Sequence, residues 1–123
     1  MEIWEKEYIK LKLAACFITI LKQKKQLSIK NKNENVEDIH LIETLRQLEA
    51  DSGTSFTLIQ SLFAGGRDAQ FTSIINLLKS LKTSLTEFAS LYDQLTDTEI
   101  EETKRAIEEG KRNQVKKGKK KTK

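Results

Sequence analysis

Apolar residues along this chain recur every three or four positions, the spacing that lines one side of a helix. Ile9, Leu13, Cys16, Phe17, Ile20 and Leu21 follow it, while Glu5, Lys10, Lys12, Lys22 and Lys24 fall mostly on the other side, which predicts a first helix from about Glu2 to Lys25. Leu27 to Asn35, with Asn31, Asn33 and Asn35 among charges, reads as a polar connection. A second helix is predicted to start with Asn35 as N-cap and with Glu37 and Asp38 in its first turn, where carboxylates complement the positive end of the helix dipole. Its buried stripe is Ile39, Ile42, Leu45 and Leu48, and Gly53 stops it. Thr54 or Ser55 opens a short third helix that carries Leu58, Ile59, Leu62 and Phe63 up to the Gly65-Gly66 break.

A loop through Arg67, Asp68 and Ala69 leads to a fourth helix with Phe71, Ile74, Ile75, Leu78 and Leu81 facing inward. Ser84-Leu85-Thr86-Glu87 has the form of a capping box, in which Glu87 reaches back to the cap's own N–H, so a fifth helix follows. Leu85, Phe88, Ala89, Leu91 and Tyr92 would close the core. A sixth helix opens at Thr96 or Asp97 with Glu99 to Glu102 in its early turns, sets Ile100 and Ile107 on one face, and ends at Gly110. The pattern implies an all-α fold and requires no strand.

A chain of 123 residues, 37% hydrophobic and 33% charged, has one small core to bury, and the lack of any proline leaves long helices uninterrupted. Its longest apolar run, Leu13 to Leu21, falls far short of the ~20 residues that span a bilayer. Leu13-Ala14-Ala15-Cys16 spells a lipoprotein-type cleavage box, but Glu5, Lys6, Glu7, Lys10 and Lys12 occupy the stretch that such a signal keeps apolar. One cysteine cannot form an internal disulfide, so the expected setting is the cytoplasm, with no membrane partner. Charge is unevenly spread: residues 93–110 hold seven acids against two cations, and residues 111–123 hold eight cations, no acid and one apolar side chain. That last segment is expected to be a disordered, Lys-rich tail. The domain organisation is then a helical domain over 1–95, an acidic helix over 96–110 and the tail over 111–123.

The two helices that meet at Gly53, the second short and closed by a glycine break, follow the helix-turn-helix pattern at about 36–64. Ser55, Ile59, Leu62, Gly65, Arg67, Phe71, Ser73, Ile74, Leu78 and Leu81 come next, then Ser84-Leu85-Thr86-Glu87-Phe88. In these residues, over about Ile42 to Asp93, the chain resembles the Cro/repressor-type (XRE) helix-turn-helix family, whose third helix, glycine-plus-basic turn, fourth helix and fifth helix share this spacing. It departs from the family pattern at Glu49, Thr54, Ala69 and Lys82-Thr83, where a small alanine, a hydrophobic residue, a proline and a Gly-Val pair are usual. The resemblance implies a five-helix repressor-like domain, here with an extra C-terminal helix and the basic tail. It also implies a sequence-specific transcriptional regulator that binds double-stranded DNA as a homodimer.

In that family the third helix lies in the major groove and its first residues reach base edges. The resemblance therefore gives Ser55, Phe56, Thr57, Gln60 and Ser61 as base-contact candidates. Gln60 suits a bidentate adenine pair and Phe56 a thymine methyl, while Ser55 is equally an N-cap. No Lys or Arg lies between Arg46 and Arg67, so phosphate contacts must come from elsewhere. The candidates are Arg46, Arg67, Lys79, Lys82 and the tail residues Lys111, Arg112, Lys116, Lys117, Lys119, Lys120, Lys121 and Lys123. Lys22, Lys24 and Lys25 are a further cluster of available cations, equally well explained by the dipole at a helix C-terminus.

His40 is the sole histidine and Cys16 sits in an apolar run, so no catalytic or metal-binding motif can be assembled from them. Glu99, Glu101, Glu102, Glu108 and Glu109 read as a solvated face rather than an acid–base pair. No enzyme activity, no metal and no cofactor are expected. A rival to the DNA-binding reading is a helical protein-interaction module, of a mobile-element accessory or antitoxin-like kind, with a non-specific cationic tail.

Overall fold

Helix starts are fixed locally, by side chains that satisfy the first free N–H groups. Thr44 Oγ1 accepts from the Gln47 N–H at 3.1 Å while the Thr44 N–H donates to Gln47 Oε1 at 3.2 Å. The same reciprocal pair joins Ser84 to Glu87 and Thr96 to Glu99. Ser55 Oγ accepts from the Leu58 N–H at 3.2 Å. The computed structural model describes the backbone of residues 3–33, 42 and 44–121, and the side chains of 5–30, 42 and 44–110. Its elements are α1 (Ile3–Asn33), α2 (Leu45–Ser52), α3 (Phe56–Phe63), α4 (Phe71–Ser80), α5 (Leu85–Gln94) and α6 (Asp97–Lys121). Among the described residues there is no strand, and no helix is long and apolar enough to cross a membrane.

The helices are arranged around α1. Ala14, Ala15, Cys16 and Phe17 are all buried, and four successive positions cover a full helical turn, so α1 needs neighbours on every side. It packs against α3, α5 and α6, while α2 packs on α3 and α4. Phe17 lies between Phe63 of α3 and Phe88 of α5, with ring centroids 5.8 and 5.3 Å away and tilted planes of the kind aromatic pairs favour. Ile20, Ile42, Leu48, Ile59, Leu62, Leu77, Leu78, Leu81, Leu95 and Ile100 complete the buried cluster. Tyr8 of α1 donates its hydroxyl to the Asp97 carboxylate at the start of α6, and that bond, ahead of burial, raises the tyrosine's pKa.

Periodicity misplaces several helix ends. α1 continues to Asn33 instead of stopping near Lys25, because nothing between Leu27 and Lys30 breaks a helix, and Ser28 is buried. α2 begins at Leu45 rather than near Val36: Thr44 is extended (φ −133°, ψ 161°) and caps it, and Ile42, although buried, stands outside the helix. The expected cap Asn35, with Glu37, Asp38 and Ile39, lies outside the described residues. α6 runs through Gly110 to Lys121, where a helix stop and a disordered tail were expected. The helix holds two interior glycines, Gly110 and Gly118, and each costs only about 1 kcal/mol. The Lys, Arg and Gln residues that follow are good helix formers, and their cations complement the negative end of the dipole.

The inward stripes also shift. Phe71 and Leu85 are exposed because they are the first residues of α4 and α5. A helical side chain leans toward the N-terminus, so at the first position it overhangs the start of its helix instead of the core. Ala89 is exposed, off the stripe of Phe88, Leu91, Tyr92 and Leu95, whereas Leu77, which the inward stripe omits, is fully buried.

Three turns use left-handed backbone. Gly53 (φ 71°) joins α2 to α3, Gly65 (φ 72°) follows α3, and Lys82 (φ 53°) lies between α4 and α5. A Cβ at Gly65 would lie 3.2 Å from Leu11 Cδ1 and 3.5 Å from Leu11 Cα, so close approach to α1 adds to the backbone requirement. Gly65→Val should lower stability by roughly 1–2 kcal/mol in urea or thermal unfolding, since a β-branched residue resists φ > 0. Lys82→Gly should raise it by up to about 1 kcal/mol, the exposed lysine being released from a strained conformation. An unchanged midpoint for the first, or a lowered one for the second, contradicts this account of the turns.

Candidate nucleic-acid interface

α3 divides into an inner and an outer side. Ile59, Leu62 and Phe63 enter the core, which leaves Ser55, Thr57 and Gln60 exposed and Phe56 and Ser61 half-buried. Ser55 Oγ accepts one bond in capping, which leaves its O–H donor and a second lone pair. The Thr57 and Gln60 side chains are free of hydrogen bonds to any described residue. The five residues that the resemblance selects therefore lie on α3 and its cap, with three of them exposed to solvent.

α3 carries no cation, and the structure brings one to it from α2. The Arg46 guanidinium carbon lies 3.6 Å from the centre of the Phe56 ring, and Arg46 Nη1 bonds Glu49 Oε1 at 3.3 Å. Stacking at this distance is attractive because the ring face is electron-rich. Phe56 is thus a platform for Arg46, so one face of its ring is withheld from a thymine methyl. Helical spacing has no signature for a pair formed across the Gly53 turn, which is why periodicity overlooked it.

The other cationic candidates are spread out. Arg67 is exposed in the loop after α3, Lys79 is exposed near the end of α4, and Lys82 is exposed in the turn before α5. α4 packs on α2 and α5 and not on α3, so Lys79 and Lys82 stand apart from the α3 face. The side chains of Lys111, Arg112, Lys116, Lys117, Lys119, Lys120, Lys121 and Lys123, and the whole of His40, lie outside the described residues. The helical backbone that bears 111–121 leaves from Gly110, which lines an open groove with Leu45, Gln60, Ser61 and Ala106. Glu99 caps α6, and Glu101, Glu102, Glu108 and Glu109 are exposed.

Cys16 is fully buried, its thiol directed at the Phe88 carbonyl at 3.7 Å, and burial pushes its pKa up to about 12. Among the described residues no group of three or more His, Cys, Asp and Glu is placed to hold a metal ion. Comparison with protein-family models, with curated proteins and with solved structures finds no match for the chain.

Because the thiolate is the reactive form, native Cys16 should resist alkylation by iodoacetamide at pH 8 and react fully once unfolded. Its folded pKa lies above the ordinary value of 9.0, so the stability it contributes is fully present below pH 9 and is lost as pH rises toward about 12. Urea midpoints should therefore fall between pH 9 and 11, and rapid native-state labelling would show that the thiol is reachable after all.

Proposed function

We propose that the chain is a DNA-binding transcriptional regulator of the Cro/repressor (XRE) type, in which α2 and α3 form a helix-turn-helix and α3 enters the major groove. The observation that carries this reading is the α2–α3 unit. Two short helices meet through left-handed Gly53, the second held to the core by Ile59, Leu62 and Phe63, so that Thr57, Gln60 and the Arg46–Phe56 stack face outward. Two backbone features support it: Gly65 is left-handed where the family has its turn glycine, and Lys82 is left-handed where the family has a second glycine.

Such a reader binds palindromic sites as a dimer, its two third helices roughly 34–36 Å apart. Arg67, Lys79, Lys82 and the cations of 111–123 supply phosphate contacts, for which charge matters more than orientation. One observation favours the rival reading of an interaction module with a cationic tether: α3 has no cation of its own.

Affinity and specificity separate the two. Removing residues 111–123 should weaken binding to all duplex DNA alike and flatten the plot of log affinity against log salt. The slope changes by about 0.9 per lost phosphate contact, so the eight cations set a ceiling near ~7. Changing Thr57 and Gln60 together to alanine should leave the salt slope nearly intact while costing roughly 1–3 kcal/mol per lost bidentate pair at the preferred site. If that variant selects the same sequence from a random pool, α3 is not the reader. If the intact protein shows no preference and the truncation abolishes binding, the folded domain is an interaction module.

A further inference from the structure

We propose that Arg46 of α2, rather than any residue of α3, is the guanine-reading side chain of this interface; the inference rests on the DNA-binding reading above. Contact with duplex DNA by a flexible exposed arginine needs no fixed geometry when the target is a phosphate. Arg46 has two partners that favour one geometry. Its guanidinium carbon lies 3.6 Å from the centre of the Phe56 ring, well inside the ~6 Å range of the interaction and too close for a guanidinium standing edge-on, so the ring favours a stacked orientation of the group before any DNA arrives. Glu49 holds Nη1 at 3.3 Å, which sets the rotation within that plane and leaves the Nε and Nη2 donors without a partner among the described residues. Two parallel N–H groups in one plane match the O6 and N7 acceptors that guanine presents in the major groove.

Glu49 also decides between guanine and phosphate. A carboxylate bonded to the guanidinium cancels its net charge, and a phosphate approaching Arg46 would meet that carboxylate at close range. A base edge is neutral and meets no such repulsion. The Glu49 carboxylate can itself accept from the N4 amino group of the paired cytosine, so the two side chains together complement a G·C pair. Glu49 stands where the family usually has a small alanine, and Phe56 is the first residue of α3, at the end of the helix that base contacts use. The Arg46 side chain remains 75% exposed, so this edge is accessible.

The test is selection from a random duplex pool with the full chain and the variants Arg46→Lys, Arg46→Gln and Phe56→Leu, with salt titrations on the selected site. The wild type should enrich guanine at one fixed position of each half-site. Arg46→Lys keeps the charge but loses the fork, and Phe56→Leu keeps an apolar residue but loses the platform. Both should cut the guanine preference at that position on the order of tenfold or more and leave the other positions alone. Arg46→Gln should do the same with an unchanged salt slope. Arg46 and Glu49 lie on the surface, so an unchanged melting temperature is expected for both Arg46 variants. A salt slope lowered by about 0.9 in Arg46→Gln with the selected sequence unchanged would mark Arg46 as a phosphate contact and overturn the proposal. Variants that select the wild-type sequence with wild-type affinity overturn it while the DNA-binding reading stands. A wild type that selects no sequence overturns both.

Discussion

Ala14, Ala15, Cys16 and Phe17 take up the whole circumference of one turn of α1, and burying all four requires packing on every side of that turn. The small side chains of the first three allow neighbouring backbones to come close, and Phe17 then fills the space between α3 and α5. Gly65 depends on the same turn, because the end of α3 passes so near Leu11 that a side chain there would meet it. α6 is tied to α1 by Tyr8 and Asp97 and buries Ile100 in the shared cluster. Deleting core volume at Phe17 would therefore loosen α3 and α5 at once.

The outward face of α3 inherits its orientation from this arrangement. With Phe63 packed against Phe17 and Ile59 and Leu62 fully buried, the helix cannot rotate without exposing its core side. Gly53 then sets the angle of α2, whose Leu48 is buried beneath, and so carries Arg46 over Phe56. A surface feature of two exposed or half-exposed side chains is thus fixed by the interior.

The parts of the fold legible in the sequence are those with a local cause. Ser55 and Ser84 cap their helices, and Gly53 and Gly65 turn the chain, because each such signal acts within one turn. Thr44-Leu45-Arg46-Gln47 has the same capping-box form as the segment from Ser84, and it was the available sign that α2 starts at Leu45. What stayed hidden had no local cause: α1 lacks a stop signal before Asn33, and Gly110 is too weak a breaker to end α6 alone. The same holds at the site. The exposed face of α3 follows from helical spacing, but the Arg46–Phe56 stack is a tertiary contact across a turn, which no one-dimensional pattern encodes.

α6 has an electrical asymmetry along its length. Residues 97–109 carry six acids and two cations, and residues 111–121 carry seven cations and no acid, on one continuous helix. The centres of the two blocks are some ~20 Å apart at 1.5 Å per residue, about two Debye lengths at physiological ionic strength. Each block favours its own end of the backbone dipole, so the charge order that stabilises the helix also gives the molecule a large side-chain dipole of opposite sense. Near a polyanion the two blocks experience opposite forces, and the resulting torque turns the molecule before contact. Interspersing the charges of the two blocks would keep the net charge of +4 and abolish that preference for one angle of approach.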